Sequence, residues 1–347
     1  MRLDPVIQTS VERDEDLGSQ STLCRLESRI DRQVAVRMHE VIIEQFIASF
    51  TTPPHELILD FDATDDPVHG NQEGRFFHGY YDHYCFLPLY VFCGDQLLVS
   101  DLRPSKIDGA KHAWAILALL VKRLRQTWPE VRIIFRGDSG FCRHHMLGWC
   151  ERHNVGYIVG LAQNPVLLRK IHEPMSWVQQ LFDLTGEKQR EFFQFHYAAG
   201  TWKQRRKVIA KLEVTEKGPN PRFILTNLEG DKRTLYDPLY CARGDMENRI
   251  KEQQLGLFAD RTSAHHWWAN QFRLLLSSLA YVLMEGIRRL GLQGTELARA
   301  QMRTIRLKLF KVGAVILRNT RRIRFLLSSA YPYQPLFLIV ATRLKPG

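Results

Sequence analysis

The 347 residues include 48 Lys or Arg against 37 Asp or Glu, a formal charge of +11, with 45% apolar and 24% charged residues. These proportions are globular, exclude a disordered or collagen-like chain, and at this length suit two compact domains with additions. No run of about 18 uncharged apolar residues argues for a membrane span, the opening MRLDPVIQTSVERDEDLGSQ has no apolar signal-peptide core, and six cysteines without a CxxC pair suit reduced thiols in a cytoplasmic protein.

Residues 22–50 read as a helix, with Val34, Met38, Ile42 and Phe46 recurring at intervals of four before Pro53 and Pro54. Leu57, Ile58, Leu59 and Phe61 then form a short buried strand that ends in carboxylates. Residues 80–104 are dense in aromatic and β-branched side chains and turn at Cys93-Gly94-Asp95, a hairpin pattern. A helix is predicted over 108–127, with Trp114, Ile116, Leu117, Leu120, Val121 and Leu124 facing inward. VRIIFRGDSGF repeats the earlier device, a β-branched strand that delivers Asp138 into a glycine-flanked turn. The helix CRHHMLGWCERHN and the strand YIVGL complete a β-α-β unit. Hairpin strands followed by β/α alternation indicate an α/β (α+β) core with a mixed sheet.

Residues 165–226 are β-rich, broken at Gly186, Gly200 and GPNP, with one short helix near 174–184, and read as a small inserted β domain. Helical pattern resumes with RTLYDPLYCARGDMENRIKEQQLGLF and with FRLLLSSLAYVLMEGIRRL, the latter apolar enough to be a core helix. The last 55 residues read mainly as helix. From Glu285 onward there are 13 basic and 2 acidic residues, a net of +11, so the preceding 284 residues are neutral as a whole. The tail's cations are mostly arginines (among them Arg288, Arg289, Arg303, Arg306, Arg321 and Arg324), the better bidentate phosphate ligands. A neutral body with such a tail implies a polyanionic partner, nucleic acid first.

Three carboxylates stand out: Asp62 and Asp138 at strand ends, and Glu247 in a polar helix. Acids placed together repel unless a cation neutralises them. Hard oxygen ligands suit Mg²⁺ or Mn²⁺, and two such ions can activate a nucleophile and stabilise the leaving oxygen of a phosphodiester. Taken singly, each acid reads better as a turn cap or a surface residue, and only their combination rises above that. Around Glu247, Tyr240, Arg243, Lys251 and Gln254 share one stripe of a 3.6-residue helix. Asp60 lies on the same strand face as Asp62, whereas Glu252, five residues beyond Glu247, points about 140° away. Trp202 precedes the basic run KQRRK, so Trp202 with Arg205 and Arg206 could stack on a base and hold backbone; packing in a small core suits the tryptophan as well. Trp177 is a second tryptophan in the same stretch. His144–His145 and His265–His266 read as helix-surface or packing residues, since neither pair has zinc spacing with Cys.

Together these residues resemble the DDE transposases of insertion sequences, most of all the IS1380 family, related to the IS4 group. The resemblance runs over about residues 20–290 and rests on STLCRLE (21–27), LDFDATDDPVHGNQEG (59–74), RGDSGF (136–141), YIVGL (157–161), RGDMENRIKEQQLGLFADRTS (243–263) and ANQFRLLLSSLAYVL (269–283). It implies an RNase H-like mixed sheet flanked by helices, interrupted by a β-rich insertion domain and followed by a helical basic segment. In that scheme 1–54 is an N-terminal helical remnant, 55–164 and 227–290 are the two parts of the catalytic core, 165–226 is the insertion and 291–347 the basic segment. The resemblance also implies that Asp62, Asp138 and Glu247 are catalytic and hold two Mg²⁺ or Mn²⁺ ions. Tyr240, Arg243 and Gln254 would contact DNA, with Gln254 where the IS4 group has lysine and Lys251, one turn earlier, able to supply the charge. Double-stranded DNA, as element ends and target, is then the partner, a homodimer holds two ends, and the setting is the bacterial cytoplasm or nucleoid. Family members carry a further region ahead of STLCRLE, so a shortened N-terminus is implied. An RNase H-like nuclease, or a DNA-binding inhibitory derivative that no longer transposes, would share much of this pattern.

Overall fold

Leu57, Leu59 and Phe61 alternate with Ile58, Asp60 and Asp62 along Glu56–Ala63, which forms a strand (β1) with two dissimilar faces. The structure is a computed structural model that describes residues 2–13, 15–319 and 322–345. Next to β1, Leu89–Cys93 (β2) and Gln96–Asp101 (β3) form the predicted antiparallel hairpin, turning through Gly94 at φ +58°. On the other side, Arg132–Gly137 (β4) runs parallel to β1, and Gly156–Leu161 (β5) runs parallel to β4. The spatial order is therefore β3-β2-β1-β4-β5. This is the mixed sheet that the hairpin-then-alternation pattern predicted.

The apolar face of this sheet (Leu57, Leu59, Phe61, Ile133, Phe135) packs on the helix Ala113–Thr127 through Leu117, Leu120, Val121 and Leu124. Trp114, expected on the inner side, is 44% exposed instead, because the buried stripe runs through Ala113 and Leu117. That helix ends where Trp128 precedes Pro129, a position that disfavours the α conformation. The Trp128 ring meets Phe50 edge-on at 5.1 Å. The opposite face carries Ile134 and Ile158, which are covered by Leu235 and Tyr236. That face also carries Asp60.

Residues 165–226 do not stand apart as a separate β domain. They begin with a short helix, Pro165–Lys170, followed by a 14-residue helix, His172–Thr185, longer than predicted, which ends at Gly186 in the left-handed region. Then Gln189–Tyr197 (β6), Arg206–Thr215 (β7) and Arg222–Thr226 (β8) follow, and β8 pairs antiparallel with β5. The result among the described residues is one nine-stranded sheet. The inserted strands had open backbone groups available on β5, and continuing the sheet leaves fewer unpaired edges than a second, separate open sheet would.

The chain divides into two compact units that differ from the five segments expected. The sheet unit is Ile43–Asp66 with Phe76–Arg249; the other is Met1–Ile42, Pro67–Arg75 and Ile250–Gly347. The predicted helix 22–50 is two helices, Gln20–Glu27 and Arg32–Ala48. Asp31 starts the second by accepting a hydrogen bond from Val34 N at 2.9 Å. In the second unit, Ala35 and Ile42 pack on Leu275 of the apolar helix Trp267–Gly286. The tail is not mainly helical: Ala314–Arg318 and Ile323–Leu327 form a hairpin before the helix Gln334–Arg343. Their apolar runs, with Val315, Ile316 and Ile323 β-branched, favour strands, and Asn319 accepts from Arg322 N. Arg321 lies outside the described residues. Arg288 is buried between Glu252 and Glu285, so some of the tail's charge is consumed internally. No helix among the described residues is long and apolar enough to cross a membrane.

Candidate active site

Period-two alternation places Asp60 and Asp62 on the same face of β1, yet the two have different surroundings. Asp60 is buried opposite Arg136 of β4, which donates Nη2 to its Oδ2 at 2.7 Å and Nε to its other oxygen. Burial raises the Asp60 pKa despite this pairing. Arg136 also donates to the Leu239 carbonyl, which ties β1 and β4 to the segment that leads to Glu247. Asp60 is thus a structural acid, and Asp62, one step nearer the strand end, is left for other partners.

Asp138 follows β4 directly and accepts from Gly140 N at 2.8 Å, so its carboxylate caps the turn Ser139–Phe141. Glu247 lies on the helix Gly244–Lys251. Arg243 joins the acids: its guanidinium is 3.0 Å from Glu247 and 3.8 Å from Asp62. The Asp62 carboxyl is pushed up to about 7, first by burial and then by the negative charges of Asp138 and Glu247, against the opposing pull of Arg243. Acids from a turn and a helix therefore both act on Asp62 of the strand. Their oxygens are not collected into a set all within 4.8 Å of one another; among the described residues that closeness is reached by Glu73, His265 and His266. Burial works against the Arg243 charge, but Asp62, Tyr240 and Glu247 outweigh it and raise its pKa.

The approach to Glu247 is less regular than a 3.6-residue stripe. Leu235–Tyr240 runs in wide i→i+5 turns with Pro238 inside, Cys241–Arg243 is a tight turn, and the α-helix starts only at Gly244. Tyr240 reaches this site from that irregular stretch, and burial raises its phenol pKa. Its hydroxyl lies over Gly160 on β5: a Cβ there would come within 2.7 Å of both Tyr240 Oη and Ser139 N. Beyond Lys251 the chain changes again to i→i+5 turns over Glu252–Gly256, which moves Gln254 off the stripe expected for it. Lys251 is exposed, and both it and Gln254 belong to the second unit. Glu252, expected to face away, is buried and bonded to Arg288.

Beside Asp138 a cavity of about 360 Å³ is lined by Ser139, Gly160, Gln163, Lys211, Arg222 and Tyr240. The expected DNA-contacting trio from the inserted stretch is separated by the fold. Arg205 is exposed. Arg206 is buried and bonded through two nitrogens to Glu151, at 2.7 and 2.9 Å, so its guanidinium is not offered to a phosphate. Trp202 is half-buried, edge-on to Tyr197 at 5.5 Å with Arg206 over its ring at 5.2 Å, which is the packing alternative. Trp177 is half exposed.

The family model described as "Transposase DDE domain group 1" matches residues 1–346. The chain belongs to this family. One solved structure, "Cryo-EM structure of piggyBac transposase synaptic complex with hairpin DNA (SNHP)", is similar with 10% identity and a TM-score of 0.42, over 74% of this chain and 52% of that one. This chain therefore spans about half the length of that protein. Comparison with curated proteins gives no match. Two contributors to this candidate site carry no signal of their own in the sequence. Arg136 reads as a strand residue until its partner Asp60 is seen across the β1–β4 pairing. Gly160 sits in YIVGL like any glycine that weakens a strand, and only the approach of Tyr240 explains it.

Proposed function

We propose that this DDE chain is a DNA transposase of the IS1380 type, with Asp62, Asp138 and Glu247 as its catalytic residues and as ligands of two Mg²⁺ or Mn²⁺ ions. The observation that carries this reading is that the charges of Asp138 and Glu247, from separate elements, both act on buried Asp62, with Arg243 bridging Asp62 and Glu247. The strand order β3-β2-β1-β4-β5, with its antiparallel hairpin and two parallel strands, supports an RNase H-like core.

The donor set fits a divalent ion. All three groups are hard oxygen donors, and a carboxyl lifted to about 7 by burial beside two other acids is short of positive charge. When bound, such ions lower the pKa of an attacking water or hydroxyl and stabilise the leaving oxygen of the phosphodiester. Arg243 neutralises Asp62 and Glu247 and lies where a scissile phosphate would meet the acids, so it is suited to pair with the phosphate in their place. Tyr240 and Gly160 fix the third-carboxylate segment against the Asp138 turn. Lys211 and Arg222 in the adjoining cavity give the neighbouring strand a cationic lining. The same acids can serve hydrolysis at an element end and attack of the freed 3′-hydroxyl on target DNA, a cut-and-paste course. Double-stranded DNA, a homodimer that holds two ends, and the bacterial cytoplasm complete the proposal.

The test uses labelled pre-cut oligonucleotides and supercoiled plasmid, with Mg²⁺ or Mn²⁺. Asp62→Asn, Asp138→Asn and Glu247→Gln should each lower nicking and strand transfer by at least about a hundredfold while DNA affinity persists. Cutting retained by Asp62→Asn or Asp138→Asn would refute the assignment. Products without strand transfer would mark a nuclease instead.

A further inference from the structure

His265 and His266 come together with Glu73, and their ligating atoms all lie within 4.8 Å of one another. All three belong to the second unit. Glu73 stands some 190 residues earlier in the chain, which is why no local zinc spacing shows.

We infer that Glu73, His265 and His266 form a binding site for a borderline transition-metal ion, Zn²⁺ by preference, chemically distinct from the all-carboxylate cluster. Imidazole donors select zinc, nickel or copper over magnesium. His266 Nδ1 and Glu73 Oε1 are 3.3 Å apart. Two ligands on a tetrahedral zinc, each bonded at 2.0–2.1 Å, are separated by about the same distance. The ion would take the place of the proton now shared between those two atoms. His265 Nδ1 is 2.9 Å from the Asn71 carbonyl, so it carries the proton and leaves Nε2 as the free lone pair.

The framework behind these ligands is already fixed. Glu73 N donates to the His265 carbonyl at 2.9 Å, which clamps the 67–75 loop to the chain entering the helix Trp267–Gly286. The other oxygen of Glu73 accepts from Trp267 N at 3.0 Å. Trp267 lies so close over Gly74, itself at φ +78°, that a Cβ there would meet the ring at 2.5 Å. The ligands are exposed, so three protein donors leave a fourth position for water or another donor. A bound ion would join the loop to the start of the long apolar helix and stabilise that unit by mass action.

The experiment titrates the full chain with ZnCl₂, and separately with CoCl₂ as a spectroscopic probe, in an Asp62→Asn/Asp138→Asn background that removes the carboxylate cluster. One equivalent should bind, with the visible bands of four-coordinate Co²⁺ and a raised melting temperature. His265→Gln and His266→Gln should each weaken binding at least tenfold. Glu73→Gln, which keeps an acceptor for Trp267 N and so the fold, should do the same while its circular dichroism is unchanged. No binding in that background, or binding unmoved by the three substitutions, would overturn the inference.

Discussion

Asp62 sets two demands against each other, and one substitution separates them. A carboxyl held at about 7 where 3.8 is ordinary costs the folded state about 4 kcal/mol once it is ionised, at about 1.4 kcal/mol per pH unit. The folded pKa is raised, so the cost is fully present above pH 7. It shrinks as the acid protonates below that and vanishes near 3.8. Asp62→Asn keeps an oxygen to accept from Ala63 N, a 2.9 Å bond in the parent, and removes the charge. Without divalent metal at pH 8 the variant should therefore be more stable than the parent, by about 2–4 kcal/mol, the attraction to Arg243 being already contained in the raised value. The gain should fall away between pH 7 and pH 4. With Mg²⁺ or Mn²⁺ added, the parent should gain stability and the variant should gain little, because one ligand is missing. Urea unfolding in EDTA and in metal, repeated from pH 5 to 8, measures both. A variant no more stable than the parent in EDTA at pH 8, or a difference that does not change with pH, would refute the reasoning.

Gly160→Ala should force Tyr240 or the Asp138 turn aside; we expect about 1–3 kcal/mol of lost stability and at least a tenfold drop in cleavage, with DNA affinity kept. Arg136→Met leaves Asp60 buried without its partner, and urea unfolding should show a loss of about 3–5 kcal/mol, whereas an Arg136→Met/Asp60→Leu double variant should recover much of it. Arg205→Ala should reduce the salt dependence of DNA binding by about one phosphate contact, while Arg206→Ala should leave that slope unchanged and lower stability, because Glu151 loses its ion-pair partner. Lys251→Ala, measured by strand cleavage and DNA affinity, should weaken binding if the exposed lysine supplies the charge that Gln254 does not; unchanged values for both would remove it from the site.

Much of the site could be read along the chain because its parts lie at ends of regular elements. A β-branched run followed by Asp138 and a glycine marks a strand that delivers an acid into a turn, and the period of two separates Asp62 from the apolar residues of β1. The tail was harder. Its arginines suggested a solvated DNA-facing helix, but Arg288 is buried between two acids and residues 314–327 form a hairpin. The KQRRK run misled in the same way, since a count of cations does not tell which one is taken by a buried acid such as Glu151.

What the sequence determined by itself was local: alternation, helical period, turn chemistry and the family motif, all set by interactions between residues a few positions apart. What only the tertiary structure decided were the partners of charges. Asp60 and Asp62 are two residues apart on one face, yet one is neutralised by Arg136 and the other is lifted to about 7 beside Asp138 and Glu247. Glu73 and His265–His266 are likewise unremarkable until the fold brings them together. Charge and burial act through space over a few ångströms, and sequence separation carries no information about that distance.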